Sequence, residues 1–184
     1  LDSVQCEADR LHKLLNGLLS IAQSNVDFNS LQKDEIRIDE LLFEIKDSIK
    51  ARYPDNHIEI QLATLPDNPE SLIVYGDKNL LTTALLNITD NACKFSGQLK
   101  VTLQLFLNKG HFTIRISDTG IGISPEQLPH ITETFYRADN ARTFSGSGIG
   151  LALADKIIQL HHGHIHIMSE LNSGTTVEIL LPKY

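Results

Sequence analysis

The stretch ALLNITDNACKFS, residues 84–96, has two faces that make different demands. Leu85, Ile88, Ala92 and Phe95 recur at helical spacing and are expected to face a core. Asn87, Asp90, Asn91 and Lys94 fall three and four residues apart, so they project from one stripe on the other side. A solvated helix face is the ordinary explanation of such a stripe. Asparagine, however, is a poor helix former, and two of them at i and i+4 in a helix interior cost stability. Two carboxamide oxygens four residues apart can approach one hard cation; magnesium takes oxygen ligands and leaves its other positions to water and phosphate. Lys94, one turn further on, would then meet a phosphate.

Around this helix the chain reads as a mixed α/β domain. Asp77 is expected to cap the helix, preceded by a short strand SLIVYG (71–76) and, before that, by an alternating strand HIEIQLA (57–63). RIDELLFEIKDSIKARY predicts another helix, with Asp39 as N-cap, Leu42, Ile45 and Ile49 on the buried face and Pro54 closing it. QLKVTLQLFL and HFTIRISD predict a hairpin turned at Asn108, Lys109 and Gly110. Residues 132–148 lack an apolar period and read as a mobile loop. A helix follows from about Ile149 to His161, then two strands, HIHIMS and TTVEILLP, around Asn172, Ser173 and Gly174. The pattern predicts a two-layer α/β sandwich, a mixed sheet with helices on one face. At the start of the chain Leu1, Val4, Ala8, Leu11, Leu15, Leu18 and Ala22 alternate steps of three and four, the heptad seam of a long helix that needs a partner. The polar SNVDFNS (24–30) ends it.

Composition limits the function. The 184 residues carry a formal charge of -7, which argues against a nucleic-acid partner. Cys6 and Cys93 stand far apart without metal-like spacing and read as reduced thiols. No apolar run is long enough to span a membrane and no signal-peptide pattern opens the chain, so a soluble portion is expected.

Two further motifs carry chemistry. In SDTGIGIS (117–124) Asp118 ends a strand, and Gly120 and Gly122 permit a tight turn or close backbone approach; alone this is only a turn with an acid. In FSGSGIGLALADKII (144–158) Gly146, Gly148 and Gly150 precede an apolar helix, where backbone amides and the helix dipole can meet phosphate. The GxGxG spacing is neither the dinucleotide fingerprint nor a Walker loop.

Taken together and in order, NITDNACKFS, DTGIGI, FYRAD and GSGIGLALA resemble the N, G1, F and G2 boxes of the ATP-binding catalytic domain of sensor histidine kinases of two-component signalling. The resemblance runs from about Leu1 to Leu181. It implies the Bergerat fold, shared with type II topoisomerases and heat-shock chaperones, and a protein histidine kinase that uses ATP and Mg2+. It implies Asn91, with Asn87, as the magnesium ligands, and Asp118 as acceptor for the adenine amino group. Lys94, Arg137 and Arg142 are implied at the phosphates and Tyr136 beside the nucleotide. Gly120 and Gly122 belong to the G1 turn, while Gly146, Gly148, Gly150 and the backbone near Leu151 would cradle the phosphate end. Thr175 resembles the threonine that helps hold adenine, and it shares a strand face with Val177, Ile179 and Leu181, directed at the helices. The catalytic set implied is Asn87, Lys94, Arg137 and Arg142. In ATP-hydrolysing relatives a glutamate that activates water stands at the position of Asn87; an amide cannot take a proton, so this pocket should present the γ-phosphoryl to another nucleophile.

The chain also departs from the pattern. No phospho-acceptor motif resembling HE[LF]RTP occurs, and CEADRLHKLLNGLLSIAQ resembles the second helix of the dimerisation hairpin, so His12 reads as a bundle histidine. The expected organisation is a partial hairpin at 1–30 and the catalytic domain at 31–184, without self-phosphorylation. The expected partners are the missing dimerisation-domain histidine, a response-regulator receiver domain and a second copy of the parent. The expected location is the cytoplasmic portion of a membrane-anchored parent. Thr132 and Thr134 stand in the F box where an aromatic and a basic residue are usual, leaving Phe135 as its aromatic. HHGHIHI (161–167) invites a metal reading, but a solvated strand face is the better account. Two other readings compete with the kinase: a nucleotide-binding switch or dimerisation module without turnover, and a hydrolytic ATPase, which Asn87 argues against.

Overall fold

A computed structural model describes residues 34–62, 68–97, 99–108 and 110–183. The expected heptad helix, His12 and Cys6 lie outside the described residues, as does Lys109 of the hairpin turn. The order of elements is β1 (Asp34–Arg37), α1 (Ile38–Arg52), β2 (His57–Leu62), β3 (Ile73–Gly76), α2 (Lys78–Ser96), β4 (Lys100–Asn108), β5 (His111–Asp118), α3 (Gly150–Leu160), β6 (His164–Glu170) and β7 (Gly174–Pro182).

The main sheet has the order β2-β4-β5-β7-β6. β2 runs parallel to β4, and every other pair is antiparallel. Alternation along the strands decides what covers it. Val101, Leu103 and Leu105 of β4, Ile114 and Ile116 of β5, and Val177, Ile179 and Leu181 of β7 are buried. They meet Leu42, Ile45 and Ile49 of α1, Leu81, Leu85 and Ile88 of α2, and Leu153, Ala154 and Ile157 of α3 in one core. The opposite face is polar: the Arg115 Nε donates to Glu178 at 2.7 Å, and the guanidinium lies 5.2 Å from the Phe106 ring centroid. The expected two-layer sandwich with helices on one face is therefore present.

Two local expectations need correction, and one strand was not expected. Asp39 is not the N-cap of α1: the cap is Arg37, and Asp39 sits in the first turn, where it accepts from that guanidinium at 2.9 and 2.7 Å. Residues 71 and 72 are not strand but the end of a 3-10 turn, Pro69–Leu72, started by Asn68 accepting from the Glu70 amide at 3.0 Å. Proline fits the first turn because its missing N–H is not needed there. Finally, Asp34–Arg37 forms a strand paired with β3 in a separate antiparallel ribbon, with Ile36 opposite Val74.

The central helix α2 forms as its sequence predicts. Asp77 caps it by accepting from the Leu80 amide at 3.0 Å, and Gly97 ends it at φ 61, a left-handed conformation that suits glycine. Among the described residues no helix is long and apolar enough to cross a membrane.

Candidate functional site

The polar stripe of α2 divides. At about 100° per residue, Asn87, Asn91 and Lys94 lie within about 60° of one another, while Asp90 is offset to one side. Asp90 turns to α1, where it pairs with Arg52 and accepts from the Tyr53 hydroxyl at 3.3 Å. Burial, then the Asp90 charge and hydrogen bond, push the Tyr53 hydroxyl up to about 12. The expectation that the whole stripe lines a pocket is thus corrected: Asp90 ties two helices together.

Of the remaining three, Asn87 and Lys94 face the glycine loop that opens α3. The Asn87 Nδ2 donates back to the Thr83 carbonyl at 2.9 Å, which leaves Oδ1 outward, against Gly150; a Cβ on Gly150 would stand 2.8 Å from that oxygen. The half-buried Asn91 side chain makes no hydrogen bond among the described residues. Lys94 donates to the Ser145 carbonyl, and a Cβ on Gly146 would lie 2.8 Å from its Nζ. Burial lowers the Lys94 ammonium from its ordinary range; Asp90 opposes the shift and Arg137 adds to it. The ammonium also lies 4.7 Å from the Phe95 ring centroid.

The other wall is the turn after β5. Burial raises the Asp118 carboxyl, opposed by the amides of Gly120 and Thr175, which donate to it; the Gly120 bond is 2.8 Å. Close backbone approach explains the glycines. A Cβ at Gly120 would stand 2.1 Å from the Phe95 carbonyl oxygen, and one at Gly174 would stand 2.1 Å from the Asp118 carbonyl oxygen. This turn is held by the β6–β7 connection: the Asn172 amide donates to the Ile121 carbonyl at 2.9 Å, and the Ile123 amide donates to the Ser169 hydroxyl at 2.9 Å. Ser169 in turn donates to the Gly174 carbonyl at 2.8 Å, and its Oγ lies 2.9 Å from the Thr175 hydroxyl. Sequence reasoning missed Ser169. One serine at a strand end carries no signal, and only the fold brings it to Thr175.

Between these walls runs the loop 123–149. Arg137 is engaged by backbone carbonyls, 2.7 Å from Ala141, 2.5 Å from Phe144 and 3.3 Å from Arg142. Arg142 is exposed and paired with Asp139 at 2.9 Å. Tyr136 is half-buried, its ring 5.6 Å from that of His130. Gly148 at φ 73 lies under this segment, where a Cβ would be 2.7 Å from the Tyr136 carbonyl oxygen. The aromatic that seats the loop is Phe144, edge-on to Phe95 at 5.1 Å, and not Phe135, which is 59% exposed at φ 68. Asn140 donates to the Gly122 carbonyl at 2.8 Å and joins the loop to the Asp118 turn.

Thus Asn87 meets Gly150, Lys94 meets the loop at Ser145 and Gly146, and Asp118 meets Gly120 and Thr175. Leu151 is partly buried against the core at the start of α3. Arg137 and Arg142 stand within the loop, bonded to it. The donor set fits magnesium: two neutral carboxamides four residues apart, with the Asn87 oxygen turned outward and Asn91 unbonded.

Comparisons with known proteins show the family and the fold. The family described as histidine kinase-, DNA gyrase B-, and HSP90-like ATPase matches residues 76–184. The chain is similar to sensor histidine kinase CpxA of Escherichia coli K12, 33% identical over 187 residues, covering 100% of this chain and 40% of that protein. It is likewise similar to the signal transduction histidine-protein kinase ArlS of Staphylococcus haemolyticus, 33% identical over 179 residues, covering 95% of this chain and 38% of the relative. The chain therefore spans about two fifths of these relatives' length. Among solved structures, full-length ShkA in complex with AMPPNP superposes with a TM-score of 0.78 at 26% identity, covering 98% of this chain and 37% of that one. The mycobacterial sensor histidine kinase MprB gives 0.70 at 27% identity, covering 82% of this chain and 97% of that one.

Proposed function

The chain belongs to the histidine kinase-, DNA gyrase B- and HSP90-like ATPase family, and from that premise we propose that residues 31–184 are the catalytic core of a sensor histidine kinase, binding Mg-ATP and passing its γ-phosphoryl to a histidine on a separate helix. The observation that carries this reading is that α2 holds Asn87 against Gly150 and Lys94 against the glycine loop, while its Phe95 carbonyl meets Gly120 in the turn of the buried Asp118.

In this reading Asp118 accepts from the adenine amino group, with Thr175 and Ser169 fixing the carboxylate's surroundings. The Gly146–Gly150 backbone and Lys94 receive the phosphates, the ammonium exchanging the Ser145 carbonyl for a phosphate oxygen. Arg137 shapes the loop, while Arg142 and Tyr136 stand where they can swing toward the nucleotide. The Asn91 and Asn87 oxygens would hold magnesium, which would supply neutralisation of charge on the phosphate oxygens. Transfer breaks the bond between the γ-phosphorus and the ADP oxygen and forms one to an imidazole nitrogen, whose proton leaves to a base beside the acceptor. Asn87 cannot abstract a proton from water, so hydrolysis is slow and the phosphoryl group waits for that nucleophile. Residues 1–30, outside the described residues, are then assigned to the dimerisation hairpin by the sequence resemblance alone. A receiver-domain aspartate takes the phosphoryl group onward in a dimeric, membrane-anchored parent.

The test is transfer in trans. The chain is incubated with γ-labelled Mg-ATP and a dimerisation-domain polypeptide bearing the acceptor motif. Acid-labile, alkali-stable label on that polypeptide, with little free phosphate, is expected. Nucleotide binding without any transfer would favour the switch reading, and rapid phosphate release would favour the hydrolase.

A further inference from the structure

One buried polar group has no part in the cleft described above. His161, 1% exposed, stands at the C-terminal end of α3 with its ring fixed at both nitrogens. Nδ1 lies 2.7 Å from the Ile157 carbonyl oxygen, which only accepts, so this nitrogen carries the proton. Nε2 then accepts from the Asp77 amide at 3.1 Å. The ring also rests on Gly76, where a Cβ would stand 2.4 Å from Cδ2 and 2.8 Å from Nε2. One imidazole therefore joins the end of α3 to the residue that caps α2.

At the other end of α3, Gly150 lies against Asn87. Helix α3 is thus antiparallel to the first half of α2 and pinned at two points, Gly150 beside Asn87 and His161 beside Asp77. Each pair of points is about ten residues apart, roughly 15 Å of helix. Between them Leu153, Ala154 and Ile157 share the core with Leu81, Leu85 and Ile88. Apolar burial is non-directional, so it holds the helices together without selecting one sliding position. The hydrogen bonds at the imidazole do select one.

We propose that His161 is a positioning residue for the nucleotide site: as a neutral imidazole protonated at Nδ1, it sets the register of α3 against α2 and so holds the Gly150 backbone against Asn87. The inference rests on the nucleotide-binding reading above and adds to it a remote residue and a dependence on pH. Protonation of Nε2 would set a donor against the Asp77 donor and break the tie. Among the described residues, the charges that bear on the ring are Asp77, the cap of α2, which favours the imidazolium, and His162, just beyond α3, which opposes it, while Gly76 of β3 lies against the ring. Burial outweighs them and keeps the ring below the usual histidine range. The tie's contribution is therefore fully present above the unfolded value of about 6.5 and is lost as pH falls through the lower folded value.

The experiment is calorimetric titration of the full chain with a non-hydrolysable ATP analogue between pH 7.5 and 5.5. It compares the unmutated protein with His161→Gln and His161→Leu, with circular dichroism at each pH to establish equal folded fractions. Glutamine is neutral throughout and can donate and accept in place of the two ring nitrogens. The unmutated protein is expected to lose about tenfold more affinity on acidification than the glutamine variant. The leucine variant is expected to bind about tenfold more weakly at every pH. Parallel pH profiles for the unmutated and glutamine proteins would overturn the proposal, and that comparison decides it alone should the leucine variant not fold. Absence of binding by the unmutated protein at pH 7.5 would overturn the nucleotide-binding reading, and this inference with it.

Discussion

Along β4 and β7 alternate side chains are buried in one continuous apolar layer, whereas between residues 122 and 148 only Gly122 and Ala138 are buried. The two regions meet where Phe144 packs on Phe95 of α2 and Lys94 donates to the Ser145 carbonyl. The floor, made of the sheet with α2, is held by apolar area, which acts cooperatively and leaves little freedom. The loop is held by a handful of hydrogen bonds, from Arg137 to the carbonyls of 141, 142 and 144 and from Asn140 to the carbonyl of Gly122, and by the Phe144–Phe95 contact. Each such bond is worth about 1 kcal/mol net, so the loop can rearrange around a ligand while the floor stays folded. The fixed residues, Asn87, Asn91 and Asp118, belong to the floor. Arg137 and Arg142, which the proposed function sets at the phosphates, belong to the loop.

Substitutions on the two sides should differ in kind. Leu85→Ala, at a fully buried position of α2, should cost about 3 kcal/mol and lower the thermal midpoint by several degrees. Gly120→Ala places a methyl against the Phe95 backbone, which cannot swing aside. It should cost about 2 kcal/mol and weaken nucleotide binding more than it lowers the midpoint, because the strain falls on the Asp118 turn. Arg137→Ala should remove up to about 3 kcal/mol from the loop alone, about 1 for each of its three bonds. Hydrogen exchange should quicken across 138–147 while the thermal midpoint stays nearly constant. A midpoint shift for Arg137→Ala as large as that for Leu85→Ala would break the distinction between floor and loop.

The same division governs what could be read from the sequence. Helix α2 and strands β4, β5 and β7 were legible because burial on one side imposes a period of 3.6 or 2, and the Asp77 cap because its chemistry is local. The glycines of 120, 122, 146, 148 and 150 were legible as places of close approach, though what each approaches was not. Strand β1 was not legible: in DEIR only Ile36 is buried, and the partner strand begins at Ile73. Asp90 was misassigned because spacing puts it in the stripe, and only the packing of α1 reveals Arg52 and Tyr53. Asp39 resembled a cap but found a guanidinium two residues earlier. Phe135 matched the F box, yet its left-handed backbone turns it to solvent, and Phe144 packs instead. Arg137 bonds to backbone carbonyls, which have no signature in side-chain identity. In each case the deciding partner was distant in sequence or was backbone.

The account depends most on Asp118, whose burial raises its carboxyl above the ordinary value. A group raised in this way stabilises the folded state fully only below its unfolded value of about 4, and that contribution is lost as pH rises through its folded value. At neutral pH the ionised carboxylate is therefore a local burden, kept for its acceptor. The decisive measurement is calorimetric titration at pH 7.5 with a non-hydrolysable ATP analogue, with and without magnesium, on the unmutated chain beside Asp118→Asn. The account predicts magnesium-responsive binding by the unmutated protein, at least about tenfold weaker binding by the variant, and a thermal midpoint for the variant equal to or above that of the unmutated protein. Equal affinities in the two proteins, or no binding by either, would contradict it.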